Sequence, residues 1–359
     1  MAGNIERFGG DPRNVMIFGE SGGGAKTSCL YAMPSAAPYF NRASIESGPG
    51  IRIYPLDSAI ATTRMVLKQL GLEQSEWRRL LDVPADRLLE VQEALGQNRP
   101  GPLMPAGGRM GISGNPAPGG FGPILDGVIL PGHPFDPTAP AVSRDKPLIV
   151  GYNRDEMNFF FAQNRQTDVY ALTEEALKAR LERELGPNAD AVLTAYRRSR
   201  PGASPADLYV AIASTRFAGT GSITIAERKH AQQGAAVYLY VFTHESERLI
   251  PGTTHTFGAA HAAEIVYKFN NIQPARIAPA GQQTTAPGPF DDSRPASVQT
   301  ASNMSAFWST FARTGRQAAH GQPAWPAYTI DRRSTMLIDA ECRVVDDPFS
   351  LERKVLATV

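Results

Sequence analysis

The chain has 359 residues, 42% of them hydrophobic and 20% charged, and a formal net charge of +1. That length fits one large domain or two ordinary ones, and the composition is ordinary for a soluble globular protein. So small a net charge argues against nucleic acid or an anionic membrane as the main partner, because both require a basic excess. No apolar run reaches the ~18 residues of a membrane span, the best being Ala235 to Phe242, and no charged-then-apolar leader opens the chain. As given, the chain reads as soluble and cytoplasmic, with its compartment left open because a signal peptide could precede it. Its two cysteines, Cys29 and Cys342, are too few for a disulfide scaffold and lack metal-ligand spacing. Both read as reduced, packed thiols.

Met1 to Phe8 is short and helix-like, and a Gly-Gly-Asp-Pro turn follows at Gly9 to Pro12. Val15 to Phe18 then has the β-favouring character of a buried strand and runs straight into Gly19-Glu20-Ser21-Gly22-Gly23, with a helical pattern from Ala25 to Ala32. Strand, sharp turn and helix with a serine at the apex form the G-x-S-x-G nucleophile elbow. The glycines have a steric role: a serine in a strained turn needs neighbours without Cβ atoms, so that strand and helix can pass close by. The helix N-terminus also favours negative charge developing at the serine.

Ala43 to Ser47 reads as the next strand, and Leu56 to Leu70 and Ala85 to Leu95 as helices by their three- and four-residue apolar spacing. Residues 97 to 123, rich in Pro and Gly, read as a long loop, and Pro147 to Gly151 as a buried strand. Three or four helices follow. Thr173 caps one, with Glu174 and Glu175 in its first turn, Ser204-Pro205 opens another, and Ser222 to Gln233 suggests a third. Ala236 to Phe242 is the strongest strand in the chain. Residues 273 to 297 read as a second loop, Met304 to Thr314 as a helix and Thr335 to Asp339 as a short strand. Apolar strands separated by helical stretches indicate a mainly parallel sheet covered on both faces. The helices between residues 165 and 233 interrupt that rhythm, so they read as an insertion packed over the sheet within one domain spanning 1–359.

A serine hydroxyl needs a base to take its proton, and the base needs an acid to hold it. In elbow-type folds the chain order is Ser, then Asp or Glu, then His. Of the six histidines, His133 precedes the best acids, His230 falls inside a helix, His244 ends a strand among charges and His320 sits in a polar loop. His255 and His261 remain, and the residues alone do not separate them. For the acid, Asp155 and Glu156 both follow a buried strand, where sites form in parallel sheets.

The segments Phe8-Gly9-Gly10-Asp11-Pro12, Gly19 to Gly23, Phe40-Asn41-Arg42-Ala43 and Glu46-Ser47-Gly48 resemble the type-B carboxylesterases, the α/β-hydrolase branch that includes the cholinesterases. The likeness continues through Phe121 to Gly127, Gly151 to Glu156, His261-Ala262-Ala263-Glu264, Trp308 to Gly315 and Trp325 to Tyr328. The resemblance implies an α/β-hydrolase fold acting on small-molecule carboxylic esters without metal or cofactor. It implies Ser21 as nucleophile, Glu156 as orienting acid, His261 as base and the Gly22 N–H in the oxyanion hole. Ser47 matches a serine that hydrogen-bonds near the acid, and Glu264 a buried carboxylate one turn beyond the histidine. Oligomeric state stays open.

Two departures bear on activity. Gly22 stands where the family usually has Ala, and Glu46 where it usually has Gln. Only 20 residues precede Ser21, and none forms the Gly-rich loop that completes the family's oxyanion hole. The expectation is therefore a chain lacking the fold's N-terminal third and first strands, with the elbow strand's outer edge open. The rival reading is a catalytically weak or inactive fragment, or a binding module on an esterase scaffold.

Overall fold

The computed structural model describes residues 3–97, 118–272 and 294–359. In chain order the strands and helices are β1 (Met16–Glu20), α1 (Gly22–Ala32), β2 (Arg42–Glu46), β3 (Tyr54–Pro55), α2 (Leu56–Gln69), α3 (Ala85–Gln97) and β4 (Ile124–Leu125). Next come β5 (Leu148–Asn153), α4 (Met157–Gln163), α5 (Glu174–Leu185), α6 (Ala189–Ser199), α7 (Pro205–Ser214) and α8 (Thr220–Ala231). The last third holds β6 (Val237–Phe242), β7 (Ser246–Leu249), β8 (Thr256–Gly258), α9 (Glu264–Lys268), α10 (Pro295–Thr314), β9 (Ser334–Ile338), β10 (Arg343–Asp346) and α11 (Ser350–Leu356).

Six strands form the central sheet in the order β1-β2-β5-β6-β9-β10. The first five run parallel, and β10 pairs antiparallel with β9 at one edge. This is the expected α/β fold with a mainly parallel sheet. Every residue of β5 and β6 is buried, which explains why both read as continuous apolar runs and not as alternating ones. Alternate side chains go to opposite faces. Leu148, Val150, Val237 and Leu239 pack with Tyr31 of α1 and Ile225 of α8, whereas Ile149, Tyr240, Met336 and Ile338 pack with Met304, Phe307 and Phe311 of α10. Each such side chain contributes roughly 1.5–3 kcal/mol when fully buried.

The helices between residues 165 and 233 share a core with the sheet: Leu177, Leu181, Val192, Tyr196 and Leu208 cluster with Tyr152 and Val241. β1 is the edge strand opposite β10 among the described residues, as expected for the elbow strand, and its Phe18 is half exposed. Two expectations change. α10 begins at Pro295, so residues 295–297 are helical and not loop, and the short antiparallel pair β7–β8 precedes His261. Residues 98–117 and 273–293, which hold most of both expected loops, lie outside the described residues.

The parallel strands all end on one side of the sheet. Glu20 closes β1, Glu46 closes β2 and Asn153 closes β5, with Glu20 opposite Glu46 in the β1–β2 register and Glu46 opposite Gly151 of β5. That edge carries the site.

Candidate active site

Ser21 sits between β1 and α1 with φ 57° and ψ −121°, a backbone conformation that costs a non-glycine residue of order 1–3 kcal/mol and persists only where its surroundings enforce it. The surroundings are glycines. A Cβ on Gly19 would lie 2.3 Å from the Gly23 carbonyl carbon, and one on Gly48 only 1.8 Å from the Ser21 carbonyl oxygen. Strand, elbow and the turn after β2 thus touch backbone to backbone. The Ser21 amide donates to the Glu46 carbonyl at 2.9 Å, tying the apex to β2. Ala25 is the first amide seen to bond back to the Ser21 carbonyl, so the Gly22 N–H lies in the unpaired first turn of α1. Ser21 itself is partly buried.

Glu156 stands three residues after the end of β5 and is fully buried. Its Oε1 accepts the Asn153 amide at 2.8 Å, and its Oε2 lies 2.6 Å from His261 Nδ1. Both carboxylate oxygens are therefore committed, and the ring is fixed at one nitrogen. A proton on Nδ1 donating to Glu156 leaves Nε2 open to a second partner. Asp155, the alternative acid, faces elsewhere: it pairs with Arg154 at 2.8 Å and accepts the Ala259 amide at 3.0 Å.

The histidines separate the same way. His255 lies against Tyr170, its ring tilted 34° at 5.0 Å between centroids, and His244 bonds Asp339 and Ser297. His261 alone among the described histidines meets Glu156. Three phenylalanines wall its ring, Phe159, Phe160 and Phe217, at centroid distances of 6.0, 4.7 and 5.3 Å. Phe217 arrives on a π-helical turn, Thr215–Gly219, that joins α7 to α8 without a break. Such single-turn bulges often mark functional positions, and here the bulge aims an aromatic ring at the imidazole. Ala262, next to His261, also has a left-handed φ of 64°.

The sequence reading missed Glu20. His261 Nε2 lies 3.2 Å from Glu20 Oε1, at the residue immediately before the serine. The available signal was its place inside the elbow itself. Glu264, fully buried, opens α9 and accepts Asn153 Nδ2 at 2.5 Å, so it is both a buried carboxylate and a helix N-terminal one. Ser47 is buried with a left-handed φ of 48°, and its amide donates to the Gly151 carbonyl at 2.9 Å. Its hydroxyl has no hydrogen-bond partner among the described residues, nor do Glu20 Oε1, Glu264 Oε1 or Tyr240 Oη.

Burial and like charge govern how these groups titrate. Burial favours the neutral acid at Glu20 and Glu264, and in both cases neighbouring carboxylates push further in the same direction. Burial alone would lower His261, but the charge and hydrogen bond of Glu156, followed by the charges of Glu20 and Glu264, outweigh it and raise the imidazole to about 9. The described residues contain no cluster of three or more metal-ligating side chains.

A parallel sheet, a strained serine between strand and glycine-rich helix, and a buried carboxylate–histidine pair beside it define the α/β-hydrolase class. Comparison with known proteins gives the family. The model described as "Carboxylesterase family" matches residues 1–354, and the chain belongs to that family. It is 30% identical over 354 residues to para-nitrobenzyl esterase of Bacillus subtilis, covering 98% of this chain and 64% of that protein. It is 29% identical to fumonisin B1 esterase of Sphingopyxis macrogoltabida, covering 93% of this chain and 54% of that protein. Among solved structures, the carboxylesterase EST55 of Geobacillus stearothermophilus superposes with a TM-score of 0.74 at 30% identity, over 99% of this chain and 66% of that one. The chain thus spans between about half and two thirds of the length of these relatives.

Proposed function

We propose that this chain hydrolyses carboxylic esters through an acyl-enzyme, with Ser21 as nucleophile, His261 as base and Glu156 as the acid that orients it. The observation that carries this reading is the buried 2.6 Å contact between Glu156 and His261 Nδ1, with the other ring nitrogen at the Glu20–Ser21 elbow. Ser21 follows Glu20 in the chain, and the approach of Nε2 to Glu20 Oε1 supports reading the neighbouring hydroxyl as the group the base serves.

The chemistry then runs in two halves. Ser21 Oγ attacks the ester carbonyl as its proton passes to His261 Nε2, and the Gly22 N–H stabilises the oxyanion with the N-terminal dipole of α1. The tetrahedral intermediate collapses, and His261 returns the proton to the departing alcohol. Water repeats the sequence on the acyl-enzyme, releasing the acid and restoring the serine. Glu156 holds the ring at Nδ1 and stabilises the imidazolium formed in both halves. The phenylalanines around the ring exclude water and strengthen these interactions. The whole of 1–359 is read as one domain, with 165–233 an insertion that brings Phe217 against the His261 ring.

Hydrolysis of p-nitrophenyl acetate by the purified chain and by Ser21→Ala tests the reading. Activity in the first that disappears in the second supports it. Equal rates in both remove Ser21 from the mechanism.

A further inference from the structure

Glu46 introduces a carboxylate where the resemblance leads one to expect an amide, and it does so at a crowded position. In the β1–β2 register it stands directly opposite Glu20, whose carboxyl touches His261. Glu46 has no exposed surface, so a second negative charge on adjacent strand ends would carry a heavy penalty if left alone. It is not alone. Ser44 Oγ and Trp308 Nε1 donate to its Oε1 at 2.7 and 2.9 Å, and Lys268 Nζ pairs with its Oε2. Lys268 is itself 7% exposed, and its ammonium lies 4.8 Å from the Phe18 ring centroid and 5.1 Å from that of Phe269. Lys268 ends α9, the helix that starts three residues after His261, so the ion pair links the base's own segment to the strand beside the elbow.

We propose that the Lys268–Glu46 ion pair is a positioning element of the catalytic site, in which Lys268 neutralises the carboxylate of Glu46 and anchors α9 so that His261 keeps its place and its working pH. The proposal rests on the esterase reading given above. The groups facing the pair and the imidazole are Glu20 from β1, Glu156 after β5, Glu264 from α9, the Tyr240 hydroxyl from β6 and the uncharged Trp308 from α10. The two charges act on this cluster in opposite senses: at Glu20 beside the imidazole, Glu46 pushes the carboxyl up and Lys268 pulls it down, and the uncompensated charge left by either single variant acts on the imidazolium directly.

Charge balance makes opposite demands on the two partners. In Lys268→Met an uncompensated negative charge remains, which favours protonated His261, so the acid limb of kcat/KM moves up by roughly half to one pH unit. In Glu46→Gln an uncompensated positive charge remains, and the limb moves down by a similar amount. The double variant Glu46→Gln/Lys268→Met is neutral again and returns the midpoint to that of the parent chain. A purely structural pair would impair both single variants without opposite shifts. The His261 ring resonance is titrated by NMR on the same full chains, which reads the coupling without turnover. Absence of hydrolysis with opposite NMR shifts overturns the esterase reading and upholds the pair. Shifts of the same sign, or none, overturn the pair. Should a single variant fold poorly, Lys268→Arg and the double variant both conserve charge, and a midpoint displaced in either one also overturns it.

Discussion

Replacing Glu156 by Gln removes one charge and almost no volume, so its consequences can be worked from the site. His261 rises from an ordinary 6.5 to about 9, which corresponds to about 3 kcal/mol favouring the protonated ring in the folded protein. Glu156, through its charge and its 2.6 Å bond, is the largest contributor to the rise. A group whose folded value is raised stabilises the protein fully below its unfolded value and loses that contribution as pH climbs through the folded value. Glu156→Gln should therefore be less stable than the parent chain by about 3 kcal/mol at pH 6. The gap should close as pH passes about 9, where the parent ring sheds its own proton. Urea denaturation at pH 6 and pH 9.5 measures both. A difference that is equal at the two pH values would show that the Glu156–His261 contact carries no charge, and would refute the electrostatic argument.

Other outcomes follow from the same geometry. Gly48→Ala drives a Cβ into the Ser21 carbonyl and should destabilise by more than about 3 kcal/mol or prevent folding, whereas Gly96→Ala, with open space around it in α3, should stabilise by roughly 0.5–1 kcal/mol. Thermal denaturation of the two variants compares them, and equal effects would mean the elbow tolerates a side chain. Glu20→Gln removes a negative charge 3.2 Å from His261 Nε2 and should move the acid limb of ester hydrolysis down by roughly one pH unit; an upward move would contradict the sign. Burial pushes the Cys29 thiol up to about 11, so a disulfide reagent at pH 8 should modify it slowly in the folded chain and quickly in urea. Rapid modification of folded protein would place Cys29 outside the core.

What could be read from the sequence is local. Val15 to Ala32 announces strand, elbow and helix because every steric requirement lies within a few residues, and β5 and β6 declare themselves through unbroken apolar runs. The first half of α10 was hidden for a specific reason. Before Met304 its buried side chains are Ser297, Thr300 and Asn303, which bond His244 and the carbonyls of Asp339 and Ala340, with Ala301 the one apolar exception, so no apolar period marks the helix. β10 offers two valines between charged ends, too little to distinguish it from a turn. Choosing His261 over His255 needed resemblance, since both follow the same strand, and only the fold shows which ring meets Glu156. Lys268 and Glu46 stand 222 residues apart, and nothing near either one announces the other.

The most direct measurement is the site of covalent capture. Treated with an activated alkyl phosphonate, the folded chain should gain a single adduct that peptide mass spectrometry locates on Ser21, formed far more slowly in His261→Ala. An adduct on another residue, or equal labelling of Ser21 without the imidazole, would contradict the assignment of nucleophile and base.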